Sequence, residues 1–178
     1  NIEAYSEFLI DCLSAYDLKD LSLCGHSMGG LIALDMVFQR KFSAKSLILV
    51  NSIYPTRVAD ALLTKAKTGN GHAADFIIKY GLYRRLLGLK NAFSDGDEPV
   101  MLNDLHACNN YQLDLNELKS LRIPISIILG SKDRLVDLKA VENFTNAVSC
   151  HTHTMDEVGH FSFFEDPENL SKLISEIT

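Results

Sequence analysis

The feature that most limits what this chain can fold into is a six-residue stretch, Gly25-His26-Ser27-Met28-Gly29-Gly30, set between an apolar run at 21–24 and a helical periodicity at 31–39. A short apolar run followed at once by a 3.6-residue period reads as a buried strand, a sharp turn and a helix. A serine at such a turn takes a strained backbone conformation that lifts its hydroxyl above the sheet, and glycines two positions to either side relieve the crowding. On that reading Gly25 and Gly29 support the elbow, and His26 stands beside it. The glycines also suit a turn that only brings helix and strand close together, so the decision rests on partners for Ser27. A phosphate-binding loop is disfavoured, because neither GxGxxG nor a Walker lysine is present.

The rest of the chain repeats the alternation. Ile2, Tyr5, Leu9, Cys12, Leu13 and Tyr16 recur at helical spacing, predicting a helix over 2–16 with an apolar face that holds Cys12. A second apolar run at 46–50 follows the elbow helix at the distance expected of a parallel strand–helix–strand unit. From 54 to about 111 the strands stop, and helical segments are expected at 58–67, 74–89 and 100–109. Turn signals at Gly69-Asn70-Gly71 and Ser94-Asp95-Gly96-Asp97 punctuate this part. Alternation then returns: strand 123–129, helix 138–147, strand 151–155, helix 167–177. The fold class is therefore α/β, a parallel sheet covered by helices on both faces, with a helical insertion. The divisions are 1–53 and 114–178 for the core and 54–113 for the insertion.

Serine is a poor nucleophile at neutral pH, so a working Ser27 needs a base to take its proton and a third group to orient that base. In the α/β-hydrolases, which this elbow resembles, the acid follows a later strand and the histidine comes later still, and active sites of open α/β sheets collect after C-terminal strand ends. Gly130-Ser131-Lys132-Asp133 follows the third expected strand, and Val158-Gly159-His160-Phe161 follows the fourth. Asp133 and His160 are therefore the candidates. Asp133 also suits a turn aspartate bonded to its own backbone. Asp137 and Asp156 are rivals, although Asp137 fits the N-cap of the helix starting at Leu138. His151 and His153 share a strand face but have no ligand cluster around them, so a surface or core role is expected rather than a metal site. His72 and His106 have no identifiable partner.

At this point the chain resembles the α/β-hydrolase superfamily, notably its small carboxylesterases, enol-lactonases and acyl-carrier methyl esterases. GHSMGG, GSKDRLV and VGHFSFFEDPENL carry the resemblance, which spans nearly the whole chain. The insertion is similar to a family cap, including Asp104-Leu105-His106-Ala107-Cys108-Asn109. The resemblance implies Ser27 as nucleophile, Asp133 as acid, His160 as base and the Met28 amide as an oxyanion-hole donor. It implies hydrolysis of a small or medium carboxylic ester or thioester through an acyl-enzyme. Carbon–carbon or enol-lactone cleavage by the same residues is an alternative, as is a ligand-binding module without turnover. Family members carry several strands before the elbow and a loop supplying a second oxyanion amide. Here one helix precedes the elbow strand and the chain opens on Asn1, so a fragment, a processed chain or an incompletely represented protein is expected. The apolar residues Phe76, Ile77, Ile78, Tyr80, Leu82, Tyr83, Leu86 and Leu87 suit either a pocket roof or the inside of a helical hairpin. Arg84, Arg85 and Lys90 suit either an acidic acyl-carrier protein or a solvated face.

Composition removes other classes. With 178 residues and 47% hydrophobic content the chain can bury a sizeable core. A formal net charge of -6 with mixed signs gives no field that would attract nucleic acid. No apolar stretch is long enough to span a bilayer, and neither metal nor organic cofactor is implied. Cys12, Cys24, Cys108 and Cys150 lie far apart and read as free thiols of a cytoplasmic protein, with packing expected of Cys12 and Cys24.

Overall fold

The computed structural model describes all residues except 39–41, 70–71, 85–97 and 120–121. Four parallel strands form the sheet, in sequence order: β1 (Ser22–His26), β2 (Ser46–Val50), β3 (Ile125–Gly130) and β4 (His151–Met155). Pairing runs Gly25 with Leu49, Leu49 with Ile127, and Ile127 with Thr152. Because strand side chains alternate, this register sorts the apolar residues into two layers. Leu47, Leu49, Ile125, Ile127 and Leu129 enter the larger core, together with Ile2, Ile10, Leu34 and Phe144. Ile48, Val50, Ile128 and Met155 enter the smaller one, against Leu170. A parallel sheet flanked by helices is the expected fold class.

Helix α1 (Ile2–Ser14) and α2 (Met28–Phe38) pack on one face, and α2 is buried on nearly every side, from Gly30 through Val37. A helix sealed all round tolerates a polar side chain only when it is paired. Asp35 is paired: it accepts from Ser6 and, at 2.8 Å, from the Tyr111 hydroxyl. The inward face of α1 overlaps in part the one its apolar spacing suggests, since Ile2 is in the core and Tyr5 and Leu13 pack against it. Ile2, Ser6 and Ile10 point inward, whereas Leu9, Cys12 and Tyr16 are exposed. Cys24 is also exposed, because β1 pairs only with β2 among the described residues. Packing is therefore corrected as the role of both thiols.

After β2 the described residues include α3 (Asp60–Thr68), α4 (His72–Gly81) and α5 (Glu98–Asn110). They share a small core of Leu62, Ala66 and Ala73, with Phe76, Ile77, Met101 and Leu105 packed against it. The expected helix 74–89 is α4, which ends at Gly81; residues 85–89, Arg85, Lys90 and the turn at 94–97 lie outside the described residues. A short α6 (Leu115–Leu118) leads to β3. Helix α7 (Leu138–Ala147) begins where Asp137 caps it, accepting from the Lys139 amide at 2.9 Å. After β4 come α8 (Ser162–Glu165) and α9 (Pro167–Ile177), the latter capped by Asp166 with proline in its first turn.

Candidate active site

Ser27 sits between β1 and α2 with φ 51°, the left-handed conformation that an L-residue occupies only where its surroundings hold it. Its amide donates to the Val50 carbonyl (3.0 Å) and its carbonyl accepts from the Ser52 hydroxyl (2.7 Å). The end of β2 thus fixes the turn. A Cβ at Gly25 would overlap the Gly29 carbonyl, and one at Gly30 would overlap the Ser52 side chain. Nothing lies within 4 Å of a Cβ placed at Gly29. The expectation that Gly29 relieves crowding is therefore corrected: Gly25 and Gly30 are the close approaches.

The sheet brings three of the sequence-predicted residues together at one end. The Ser27 hydroxyl lies 3.0 Å from His160 Nε2, and His160 Nδ1 lies 2.8 Å from Asp133 Oδ2. An ionised carboxylate only accepts, so Nδ1 carries the proton and Nε2 is left to accept from Ser27. His160 and Asp133 are almost sealed, with 7% and 3% of their side chains exposed. Burial alone pushes the Asp133 carboxyl up. Donation and charge from His160, the Leu135 amide and the Asn51 amide outweigh it and hold the group below the usual carboxylate range. Asp133 also accepts from Leu135 N (2.8 Å) and Val136 N (3.2 Å), so the turn role and the histidine-orienting contact coexist in one side chain.

Around this chain of contacts lie residues the motifs did not single out. Asn51 closes β2 in a left-handed conformation (φ 46°) and is 1% exposed. Its amide nitrogen donates to Asp133 Oδ2 at 2.9 Å and to the Gly159 carbonyl at 3.2 Å, while its oxygen accepts from Ser162 at 2.7 Å. Glu165 is buried and accepts three backbone amides, from Gly159 (3.1 Å), Tyr83 (3.0 Å) and Arg84 (2.9 Å). The amide of His160 donates to the Gly81 carbonyl at 2.6 Å. On the other side Arg134 donates to the carbonyls of Lys79 (2.7 Å) and Tyr80 (3.3 Å). The last turn of α4 is thus held from both the carboxylate loop and the histidine loop. Glu165 stood within the quoted C-terminal motif, but no spacing rule marks it.

His26 lies beside His160, ring centroids 4.9 Å apart, and its Nε2 donates to the His160 carbonyl at 2.8 Å. Burial, then the neighbouring His160, lower its pKa to about 4, so it is an uncharged donor at neutral pH. Met28 opens α2, and its amide has no acceptor within that helix. His151 is exposed and His153 half-buried on β4; among the described residues no group of three metal-ligating side chains is gathered.

Ser27, Met28 and His160 face a cavity of about 710 Å³, whose far wall is Leu62, Phe76, Ile77, Tyr80, Met101 and Leu105. Cys108 also lines it, with burial pushing its thiol up to about 12, so it carries no thiolate at neutral pH. The site offers the Ser27 hydroxyl, with His160 Nε2 to accept its proton, opposite an apolar far wall.

A serine hydroxyl handed to an imidazole at the C-terminal end of a parallel sheet defines the hydrolases built on α/β architecture. The chain belongs to the alpha/beta hydrolase family, whose model matches residues 2–173. It is similar to 3-oxoadipate enol-lactonase 1 of Acinetobacter baylyi, at 26% identity over 98% of this chain and 70% of that one. It is similar also to the pimeloyl-[acyl-carrier protein] methyl ester esterase of Aromatoleum aromaticum, at 26% identity over 99% and 79%. Among solved structures, an esterase from Exiguobacterium antarcticum superimposes with a TM-score of 0.87 at 19% identity, covering 99% of this chain and 74% of that one. These relatives make the protein a hydrolase.

Proposed function

We propose that the protein hydrolyses a small or medium carboxylic ester or thioester, with Ser27 as nucleophile, His160 as base and Asp133 as the orienting acid. The observation that carries this reading is the continuous hydrogen-bond chain from the Ser27 hydroxyl through His160 to Asp133, at the floor of an apolar cavity. His160 takes the hydroxyl proton as the oxygen attacks the acyl carbon, and the imidazolium then protonates the leaving alcohol or thiol. The Met28 amide donates to the oxyanion. Water, activated by the same imidazole, releases the acid and regenerates Ser27. Residues 54–113 act as the cap, and their apolar wall accommodates the acyl chain.

The likeness to an enol-lactonase favours a second reading, opening of an enol-lactone by the same residues. The likeness to an acyl-carrier methyl ester esterase supports a carrier-linked acyl group, with exposed Arg84 offered to an acidic carrier. Four free thiols support a cytoplasmic location. The test is hydrolysis of short-chain p-nitrophenyl esters, with fluorophosphonate labelling, by the wild type and Ser27→Ala. Loss of both signals in the variant is the expected result. Esterase activity undiminished in Ser27→Ala would overturn the assignment, and profiling against enol-lactones and thioesters separates the substrate classes.

A further inference from the structure

We infer that Asn51 is a positioning residue for the reaction: its side-chain amide sets both the direction and the proton affinity of the Asp133–His160 pair. The inference rests on the functional reading above and adds a residue to it.

The geometry assigns the amide without ambiguity. One end of the Asn51 side chain faces Asp133 Oδ2 at 2.9 Å and the Gly159 carbonyl at 3.2 Å, both of which only accept. The other end faces the Ser162 hydroxyl at 2.7 Å, which donates. The nitrogen therefore points at the carboxylate, and every polar atom of the side chain has a partner. The backbone is fixed as well, since the Asn51 amide donates to Ile128 O at 2.8 Å. The side chain rises from the end of β2, between the loop that carries Asp133 and the loop that carries His160, and bonds to each.

The oxygen it bonds, Oδ2, is the same one that accepts from His160 Nδ1. Two donors on one oxygen share its negative charge, so each bond to Asn51 weakens the hold of the carboxylate on the imidazole proton. Removing the amide leaves Oδ2 to His160 alone, while the Leu135 and Val136 amides keep Oδ1. The imidazolium is then favoured over the neutral ring that Ser27 requires. Other groups around the pair are His26 at the end of β1, Glu165 on α8, Arg134 bonded to α4 carbonyls, and Asp104 and Arg57 in the cavity wall. Among the described residues the side chains bonded to Asp133 Oδ2 are His160 and Asn51, so the direct effect on that oxygen belongs to Asn51.

The test is the pH profile of kcat/KM for Asn51→Gly and Asn51→Ser. Glycine accepts the left-handed backbone without strain, and a serine hydroxyl is one bond too short to reach Asp133, so a folding failure of one variant leaves the other. The expected result is an acid limb displaced to higher pH by about half a unit or more, with a plateau lowered by about tenfold. A lowered plateau with an unmoved acid limb, in a variant of wild-type thermal stability, would mean a purely structural residue and overturn the inference. Wild-type labelling by fluorophosphonate is scored separately: its failure would remove the serine-hydrolase reading, whereas normal labelling with an unmoved limb removes only the role of Asn51.

Discussion

Ser27 holds its strained backbone because three neighbours leave it no alternative: Val50 takes its amide, Ser52 its carbonyl, and Gly25 clears the space beneath. The two glycines of the motif consequently differ. Gly25→Ala forces a methyl into the Gly29 carbonyl and should cost about 1–3 kcal/mol of stability. Gly29→Ala should be neutral or gain up to about 1 kcal/mol, since it sits in a helix with open space; urea denaturation of the two variants compares them directly. His26 gives a pH prediction. Its pKa is about 4 in the folded protein against 6.5 as the ordinary value, so below 6.5 the unfolded chain takes up the proton first. Stability should therefore fall as pH drops from 6.5 towards about 4, by at most about 3 kcal/mol from this group. His26→Gln, which keeps a donor for the His160 carbonyl but does not titrate, should flatten the unfolding free energy across that window.

At the scale of elements, one carboxylate ties the histidine loop to the segment that follows α4. Both oxygens of Glu165 are occupied, one by Gly159 and the other by Tyr83 and Arg84. Glu165→Gln presents an NH₂ group to one of these two sets of donors, leaving a buried N–H without an acceptor at a cost of about 1–3 kcal/mol. Because Gly159 precedes His160, kcat should drop more than KM rises, by about tenfold, alongside a lower thermal midpoint; steady-state kinetics beside a melt checks both. Sequence legibility divides along the same lines. The bounds of β2, β4, α7 and α9 were readable because local signals set them: an apolar run, the Asp137 cap, and Pro167 after Asp166. The inward face of α1 was legible in part, through Ile2, Tyr5 and Leu13, whereas the burial of Ser6 was not, because its partner Asp35 lies 29 residues away in sequence. Asn51 and Glu165 escaped for a similar reason: each acts through partners that only the sheet brings near.

Over the whole molecule, the parallel register collects four strand ends on one side, and Ser27, Asn51, Asp133 and His160 follow β1, β2, β3 and β4 in turn. Three of those positions could be read from motif order, since members of the resembling family carry serine, carboxylate and histidine in that order along the chain. The dimensions of the chamber could not, because they depend on how α3, α4 and α5 pack against one another.

The grip on α4 divides the roof into two territories for anyone wishing to alter substrate choice. Residues of α3 and α5 that face the chamber, such as Leu62, Met101 and Leu105, carry apolar side chains and pack in the small core of those helices rather than on the carboxylate or histidine loops. On the proposed function, their size and polarity are expected to form a dial that turns without touching Ser27, Asp133 or His160. Residues 79–84 do not offer that freedom, since Arg134, His160 and Glu165 all fasten there. A substitution in that turn retunes preference and turnover together, so a library built on α3 and α5 should yield altered selectivity at preserved rate far more often than one built on the end of α4.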